Sequence, residues 1–209
     1  MIRVCVADDH AVVRAGIRLL LSDTTDLMLI GEASNVQETL DLVANQQCDV
    51  VILDVSLPGR DGLEALSCLK QMYPTLPVLM FSVHPEYQYA VRAVQSGAAG
   101  YLTKDSDPEE LVTALRQIGR GEFYITQAVA RHLAVAVQTD TKPLHAALTN
   151  REFQVLSQLA SGKSINDTAR QLHLSPKTVS TYRRRILRKL RLKTTAELIH
   201  YAISQRLVD

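Results

Sequence analysis

In the first half of the sequence, polar residues that could do chemistry directly follow short apolar runs. They are three carboxylates, a hydroxyl and an amine: Asp8, Asp9, Asp54, Ser82 and Lys104. Three carboxylates brought together would repel one another without a cation, and an all-oxygen ligand set suits Mg²⁺, which usually keeps several waters. The metal and Lys104 could neutralise the oxygens of a phosphoryl group, which Ser82 would also hold, while Asp54 attacks phosphorus. These residue types therefore predict a phosphoryl-accepting site.

Each of these residues, taken singly, could instead be a solvated turn carboxylate or a surface lysine. Their shared position at the ends of four apolar runs favours a common site. His10 follows the acid pair and could line that site, but an edge histidine is more often simply exposed.

The run that precedes Asp54, Val50–Leu53, contains only branched apolar residues. Such a run is typical of a strand buried on both faces of a parallel sheet. Pro, Gly and Asp residues between positions 58 and 62 indicate that a loop follows. Asp54 would then lie at the carboxyl end of a central strand, where open α/β sheets place their ligands.

Five predicted strands alternate with five segments of helical periodicity between Ile2 and Ile118. The strands are Ile2–Ala7, Leu27–Gly31, Asp49–Leu53, Pro77–Phe81 and Gly100–Thr103. The alternation predicts an α/β fold, a doubly wound, five-stranded parallel sheet. The last helix has a clear start, with Asp107 as N-cap, Pro108 at the first position and Glu110 three residues after the cap. Because all carboxyl ends share one edge in this fold, the polar residues should converge there.

The net charge of +1 hides an asymmetry between two parts of the chain. From residue 139 onward there are 13 Lys and Arg against 5 Asp and Glu, whereas residues 1–138 have 10 against 17. The opposed charges, +8 and −7, indicate an acidic module joined to a nucleic-acid-binding module.

From Thr149 onward the pattern is entirely helical, which predicts a small all-α domain. Thr149 and Glu152 form a capping box, Ser164 opens a short second helix, and Ser175 caps a third that runs to about Leu190. A fourth helix covers roughly Thr195–Arg206. Two helices joined by a tight turn, the second strongly basic, indicate a helix-turn-helix that binds double-stranded DNA.

On a helical wheel, the third of these helices has an apolar face and a polar, basic face. The apolar face carries Val179, Tyr182, Ile186 and Leu190. The residues expected to enter the major groove are Lys177, Ser180, Thr181, Arg184 and Arg188. Those expected to contact phosphate are Arg185, Lys189, Arg191 and Lys193. The alternative is a basic face that is only solvated.

No apolar run approaches the roughly 18–20 residues needed to span a bilayer. Cys5, Cys48 and Cys68 share no metal or redox spacing. We therefore expect a cytoplasmic protein with no membrane partner, whose cysteines are reduced and buried thiols.

These motifs resemble those of the bacterial two-component response regulators, specifically the NarL/FixJ subfamily with its LuxR-type helix-turn-helix. The resemblance is carried by Asp8-Asp9, Asp54 with Leu57–Gly62, Ser82, Gly97–Lys104, Leu148–Glu152 and Ser175–Val179. It covers nearly the whole chain. It implies a flavodoxin-like receiver domain in residues 1–122, an extension and linker in 123–147, and a DNA-binding domain in 148–209.

The resemblance implies that a partner sensor histidine kinase phosphorylates Asp54. Asp9, Asp54 and the carbonyl of Ser56 would then ligate Mg²⁺, with Asp8 acting through water. Phosphorylation adds charge and acceptor oxygens, which would promote a homodimer that binds promoter DNA and regulates transcription.

By the same resemblance, Ser82 and Lys104 would bind the phosphoryl oxygens. Tyr101 would be an aromatic switch that reorients when Ser82 moves, although it could equally be a packing residue. Three groove-facing residues are supported as base contacts: Ser180, Thr181 and Arg184.

Two other functions fit parts of the pattern. A phosphatase with an aspartyl-phosphate intermediate would also place a nucleophilic Asp at a strand end, but it would normally need a second carboxylate just beyond, where position 56 is Ser. A DNA-binding dimer independent of phosphorylation would need only a scaffold, not the set of polar strand-end residues. We therefore expect a phosphoryl-accepting regulator and not an enzyme.

Overall fold

The computed structural model describes residues 1–58, 61–84, 86–138, 144–205 and 207–208. The chain forms two compact units, Met1–His132 and Leu133–Asp209. Three of the predicted features, the loop at Gly59 and Arg60, the linker at 139–143 and the helix end at Arg206, fall outside the described residues.

The first unit alternates strands and helices along the chain. Its elements are β1 (Ile2–Ala7), α1 (Ala11–Ser22), β2 (Leu27–Ala33), α2 (Val36–Asn45), β3 (Val50–Leu53), α3 (Gly62–Met72), β4 (Val78–Ser82), α4 (Glu86–Gln95), β5 (Gly100–Thr103) and α5 (Pro108–Gly119). The strands are all parallel, in the order β2-β1-β3-β4-β5. This confirms the predicted doubly wound parallel sheet.

The middle strand, β3, lies in the core. Each of its four residues is at most 1% exposed, as expected for a parallel strand covered on both faces. Its Val50 and Ile52 belong to an apolar cluster that also takes residues from α1 and α5, among them Leu21 and Leu115. Full burial of each such side chain contributes about 1.5–3 kcal/mol.

Strand register places the polar residues at one level of the sheet. Ala7 pairs with Leu53, and the amide of Asp54 donates to the carbonyl of Ala7 at 2.9 Å. Asp8 and Asp54 are therefore the next residues along two neighbouring strands. On the other side of β3, the amide of Lys104 donates to the carbonyl of Ser82 at 2.8 Å.

The start of α5 follows the sequence prediction in part. Asp107 caps the helix by accepting the amide of Glu109 at 2.9 Å. Glu110 does not complete the expected box, because its carboxylate accepts the Tyr124 hydroxyl at 2.6 Å. Tyr124 thereby ties the segment after α5 to that helix.

The expectation of reduced, buried cysteines is wrong for two of the three. Cys5 and Cys48 form a disulfide, with their Cα atoms 6.2 Å apart. Cys5 lies in β1 and Cys48 just before β3, so the pairing of these two strands brings together residues separated by 43 positions. Cys68 is a free thiol, but it is only half-buried.

The second unit is helical. The boundary between the units lies within α6 (Gln127–Gln138). After it come a short 3₁₀ helix (Leu144–Ala147), α7 (Asn150–Ala160), α8 (Ile165–Gln171), α9 (Pro176–Leu190) and α10 (Thr195–Ser204). The Thr149–Glu152 capping box and the Ser164 and Ser175 caps all form as predicted. Over the described part of the chain, no helix combines the length and apolarity needed to cross a bilayer.

Candidate functional site

Four side chains cluster at the carboxyl edge of the sheet. One ligand atom from each of Asp8, Asp9, His10 and Asp54 lies within 4.8 Å of the others. Asp8 and Asp54 are each 1% exposed, whereas Asp9 and His10 follow β1 into the loop and are more accessible. The structure thus brings the three predicted carboxylates together, and His10, which the sequence placed beside the acid pair, lies with them.

Lys104 joins the two buried carboxylates. Its Nζ lies 2.6 Å from Oδ2 of Asp8 and 2.8 Å from Oδ2 of Asp54. The ammonium reaches this position because β5 ends at Thr103, one strand beyond β4 and on the same edge as β3. The ammonium of Lys104 is therefore shared by two buried carboxylates that have little access to water.

Burial and charge shift the pKa of both partners in this cluster. Burial raises the pKa of Asp54, and the nearby Asp8 adds to the shift, while Lys104 opposes it. For Lys104, burial acts to lower the pKa, but Asp54 and Asp8 outweigh it and the net direction is upward. Lys104 is thus held as a cation, which suits it to bind anionic oxygens.

Ser82 ends β4, and Ser56 lies just after the neighbouring strand β3. Ser82 is fully buried at the end of β4, and its Oγ accepts the amide of His84 at 3.2 Å. The amide of Ser56 donates to Oδ1 of Asp54 at 3.1 Å, and its hydroxyl lies 3.3 Å from Nε2 of His84. His84 therefore links the loop after β3 to the loop after β4.

Sequence reasoning missed His84. The available signal was its position two residues after Ser82, but its contact with Ser56 crosses 28 residues and depends on how two loops meet. The loop geometry could not be read from periodicity.

Tyr101 is buried within β5, at 1% exposed. Its hydroxyl donates to the carbonyl of His84 at 2.9 Å. The same short segment therefore bonds to Ser82 through the His84 amide and to Tyr101 through the His84 carbonyl. This geometry connects the predicted switch residue to the predicted phosphoryl ligand.

Gly62 explains how α3 can start directly against the site. A Cβ at this position would lie 1.9 Å from the backbone carbonyl oxygen of Asp54. The Gly62 amide also donates to the carbonyl of Val55 at 3.0 Å. Only a residue without a side chain allows this approach, so Gly62 fixes the course of the chain just after Asp54.

The residues present fit a Mg²⁺ ion. Oδ1 of Asp9 is buried, and Nδ1 of His10 lies 2.7 Å from it. A buried carboxylate oxygen beside two further carboxylates is a hard, anionic donor set of the kind that Mg²⁺ prefers. Asp8, Asp9 and Asp54 are the side chains that could hold the ion.

The predicted DNA-reading face of α9 is accessible. Lys177, Thr181, Arg184 and Arg188 are exposed and Ser180 is half-buried. On the opposite face Val179, Ile186 and Leu190 are buried. Among the described residues, no acidic side chain pairs with any of the three exposed basic residues on that face. The two faces separate as the helical wheel predicts.

Other basic side chains of α9 are engaged inside their own unit. Lys189 Nζ lies 2.6 Å from Oε2 of Glu152 and donates to the carbonyl of Ala147 at 3.1 Å. Nε of Arg183 donates to Oγ1 of Thr195 at 2.7 Å. The ammonium of Lys189 is thus bound within the helical unit, and its contact with phosphate stays a prediction.

Comparison with known proteins covers both units. Residues 4–116 match the family described as response regulator receiver domain, and residues 146–202 match bacterial regulatory proteins, luxR family. The chain is 37% identical over 211 residues to the response regulator UvrY of Escherichia coli (strain K12), covering 100% of this chain and 97% of UvrY. It is 38% identical over 212 residues to the response regulator GacA of Pseudomonas aeruginosa, covering 100% and 99%.

A similar solved structure is that of the RcsB response regulator of Salmonella typhimurium, which is described as showing conformational dynamism for DNA interaction. The TM-score is 0.68 at 26% identity, covering 97% of each chain.

Proposed function

This chain belongs to the response regulators that join a receiver domain to a LuxR-family DNA-binding domain, and we propose that Asp54 is the residue through which phosphorylation controls it. It is a phosphorylation-controlled regulator of transcription and not a typical enzyme. The observation that carries the assignment to Asp54 is the ammonium of Lys104 bridging Asp54 and Asp8 at the carboxyl edge of the sheet.

Asp54 accepts a phosphoryl group from a partner sensor histidine kinase. A carboxylate oxygen of Asp54 attacks phosphorus as the bond from phosphorus to the kinase histidine breaks, and that histidine keeps the electron pair. The anionic charge moves from the carboxylate to the phosphoryl oxygens. Lys104, already held as a cation 2.8 Å from Asp54, follows that charge, and the Ser82 hydroxyl donates to another phosphoryl oxygen.

Asp9, Asp54 and the carbonyl of Ser56 would hold Mg²⁺, with Asp8 acting through water. The ion would supply positive charge against the phosphoryl oxygens. The clustering of the carboxylates of Asp8, Asp9 and Asp54 at the carboxyl edge of the sheet supports this ligand set. Together with Lys104, these residues concentrate the attraction for a dianion at one strand end.

The signal leaves the site through the segment after β4. When the Ser82 hydroxyl turns to the phosphoryl group, its bond with the His84 amide changes, and the His84 carbonyl is the acceptor for Tyr101. Tyr101 therefore acts as the switch residue. This rearrangement favours the conformation of the receiver surface that binds a second receiver, and the phosphorylated protein forms a homodimer.

The output is binding to promoter DNA by the basic face of α9. Lys177, Ser180, Thr181, Arg184 and Arg188 enter the major groove; their exposure and the absence of acidic partners among the described residues support this role. The receiver occupies residues 1–122, the extension and linker 123–147 and the DNA-binding domain 148–209. The protein acts in the cytoplasm, where its kinase and DNA partners meet.

The test is incubation of the full chain with acetyl phosphate and Mg²⁺, followed by intact-protein mass spectrometry. The wild type should gain one phosphoryl group, Asp54→Asn should gain none, and Asp23→Asn, which removes an exposed carboxylate elsewhere, should behave as the wild type. An undiminished gain in Asp54→Asn, or none in the wild type, contradicts the proposal. A footprint on promoter DNA before and after phosphorylation then measures the output.

A further inference from the structure

We propose that His10 supplies a nitrogen ligand to the acidic site and so makes it select divalent transition-metal ions, such as Co²⁺, over Mg²⁺. The inference rests on the proposed Mg²⁺ site and names a residue that sets its metal preference. It follows from the position of the imidazole among the carboxylates, its distances to them and its chemistry.

The imidazole of His10 is aimed at the carboxylates. Its Nδ1 lies 2.7 Å from Oδ1 of Asp9 and 3.3 Å from Oδ1 of Asp8. In an octahedral site with metal–ligand distances near 2.1 Å, neighbouring ligand atoms are about 3.0 Å apart. The two measured separations bracket that spacing, so Nδ1 can occupy a ligand position next to that of either carboxylate oxygen around one ion.

The backbone holds His10 in this orientation. Its amide donates to Oδ1 of Asp8 at 2.9 Å, which fixes the main chain against the site. His10 is the N-cap residue of α1, but its side chain makes no capping hydrogen bond. The ring is therefore not engaged in starting the helix and is directed to the acid pair.

The two oxygens of Asp8 have different neighbours. Oδ2 contacts the ammonium of Lys104 at 2.6 Å, while Oδ1 faces His10. Oδ1 of Asp9 lies on the His10 side as well. An ion bound there needs no displacement of Lys104.

The nitrogen changes which ion the site prefers. Carboxylate oxygens suit Mg²⁺, Ca²⁺ and Mn²⁺, whereas neutral imidazole is a good ligand for Zn²⁺, Co²⁺, Ni²⁺ and Cu²⁺. Mg²⁺ gains little from an imidazole, so His10 raises the affinity for transition-metal ions selectively. The opposing interpretation is that His10, whose side chain is 60% exposed, forms only a surface ion pair with Asp9.

The test measures metal binding directly, by isothermal titration calorimetry of the full chain with Co²⁺ and with Mg²⁺. His10→Ala should bind Co²⁺ at least about tenfold more weakly, since loss of even a supporting residue costs 10–100-fold in other metal sites, and its Mg²⁺ affinity should stay unchanged. His200→Ala, which removes an exposed histidine in α10, should match the wild type for both ions. In proton NMR, Co²⁺ should give strongly shifted imidazole resonances that His10→Ala lacks.

Two outcomes overturn the inference: an unchanged Co²⁺ affinity in His10→Ala, or an equal loss for Co²⁺ and Mg²⁺. Its failure is separate from that of the proposed function. If the wild type accepts phosphate at Asp54 with Mg²⁺ while His10→Ala leaves the metal preference unaltered, only the proposed role of His10 is refuted. If Asp54→Asn is still phosphorylated, the proposed function is refuted, whatever the result for His10.

Discussion

Replacing Lys104 by Met should destabilise the first unit by about 3–5 kcal/mol at neutral pH in the absence of divalent metal. The substitution keeps a long, unbranched side chain and removes the ammonium. Asp8 and Asp54, each 1% exposed, would then be two buried anions on neighbouring strands with no countercharge.

The magnitude follows from the two contacts of 2.6 and 2.8 Å. At an effective dielectric constant near 20, each is worth roughly 6 kcal/mol of gross attraction. Desolvation of the Lys104 ammonium cancels much of that attraction. Without the ammonium, however, both carboxylates keep their own desolvation cost with no countercharge, and this leaves the net loss of about 3–5 kcal/mol. Mg²⁺ should restore part of the loss, about 2.7 kcal/mol at 100 times its dissociation constant.

The measurement is urea unfolding of the full chain, read from amide hydrogen exchange in peptides from β1 and β3 so that only the first unit is followed. With a slope of about 2 kcal/mol/M, the midpoint of Lys104→Met should fall by roughly 2 M. Adding Asp54→Asn to Lys104→Met should recover much of the stability, because one buried anion is gone. A Lys104→Met midpoint equal to that of the wild type would refute the reasoning.

Three further predictions concern other contacts. Cys48→Ser should lower the free energy of unfolding of the first unit by about 4 kcal/mol, the chain-entropy value for a disulfide that closes 43 residues. The control, Cys68→Ser, should leave that free energy unchanged. If a reductant has no effect on unfolding of the wild type, the disulfide is absent. Arg184→Ala should weaken binding to the preferred DNA by about 1–3 kcal/mol and relax sequence preference in quantitative footprinting, and an equal loss on every sequence would make it a phosphate contact. Burial acts to raise the pKa of Glu152, but hydrogen bonds from Lys189 and the Thr149 amide hold this pKa below its usual 4.5. The stabilisation that ionised Glu152 provides is therefore fully present above pH 4.5 and is lost as the pH falls through the lower pKa of the folded state. The thermal stability gap between wild type and Glu152→Gln should accordingly close in acid, and a gap independent of pH would contradict this.

The sequence predicts the sheet and the convergence of the site because both follow from short-range patterns. Apolar runs without alternation identify the strands, and their parallel direction leaves all their carboxyl ends on one edge of the sheet. Asp54 and Lys104 could therefore be assigned to one place although 50 residues separate them.

Contacts between loops, or between a loop and a strand, could not be predicted in this way. The approach of His84 to Ser56 and the Cys5–Cys48 disulfide each depend on the path of a connection with no periodic pattern. Helix capping patterns likewise place Glu110 in the first turn of α5, but they do not indicate that the Tyr124 hydroxyl donates to its carboxylate.

The pairing of β1 with β3 has a consequence for how this protein can be engineered. Because Asp8 and Asp54 follow paired residues, the distance between their attachment points is set by the spacing of adjacent strands, about 4.8 Å. Loop substitutions leave that distance unchanged, so the connections after β3 and β4 can be exchanged for others without rebuilding the carboxylate pair. Removing one residue from β1 would instead turn Asp8 to the opposite face of the sheet. The sheet therefore fixes the spacing of the two carboxylates, whereas the loops can be changed to alter how the site responds to phosphorylation.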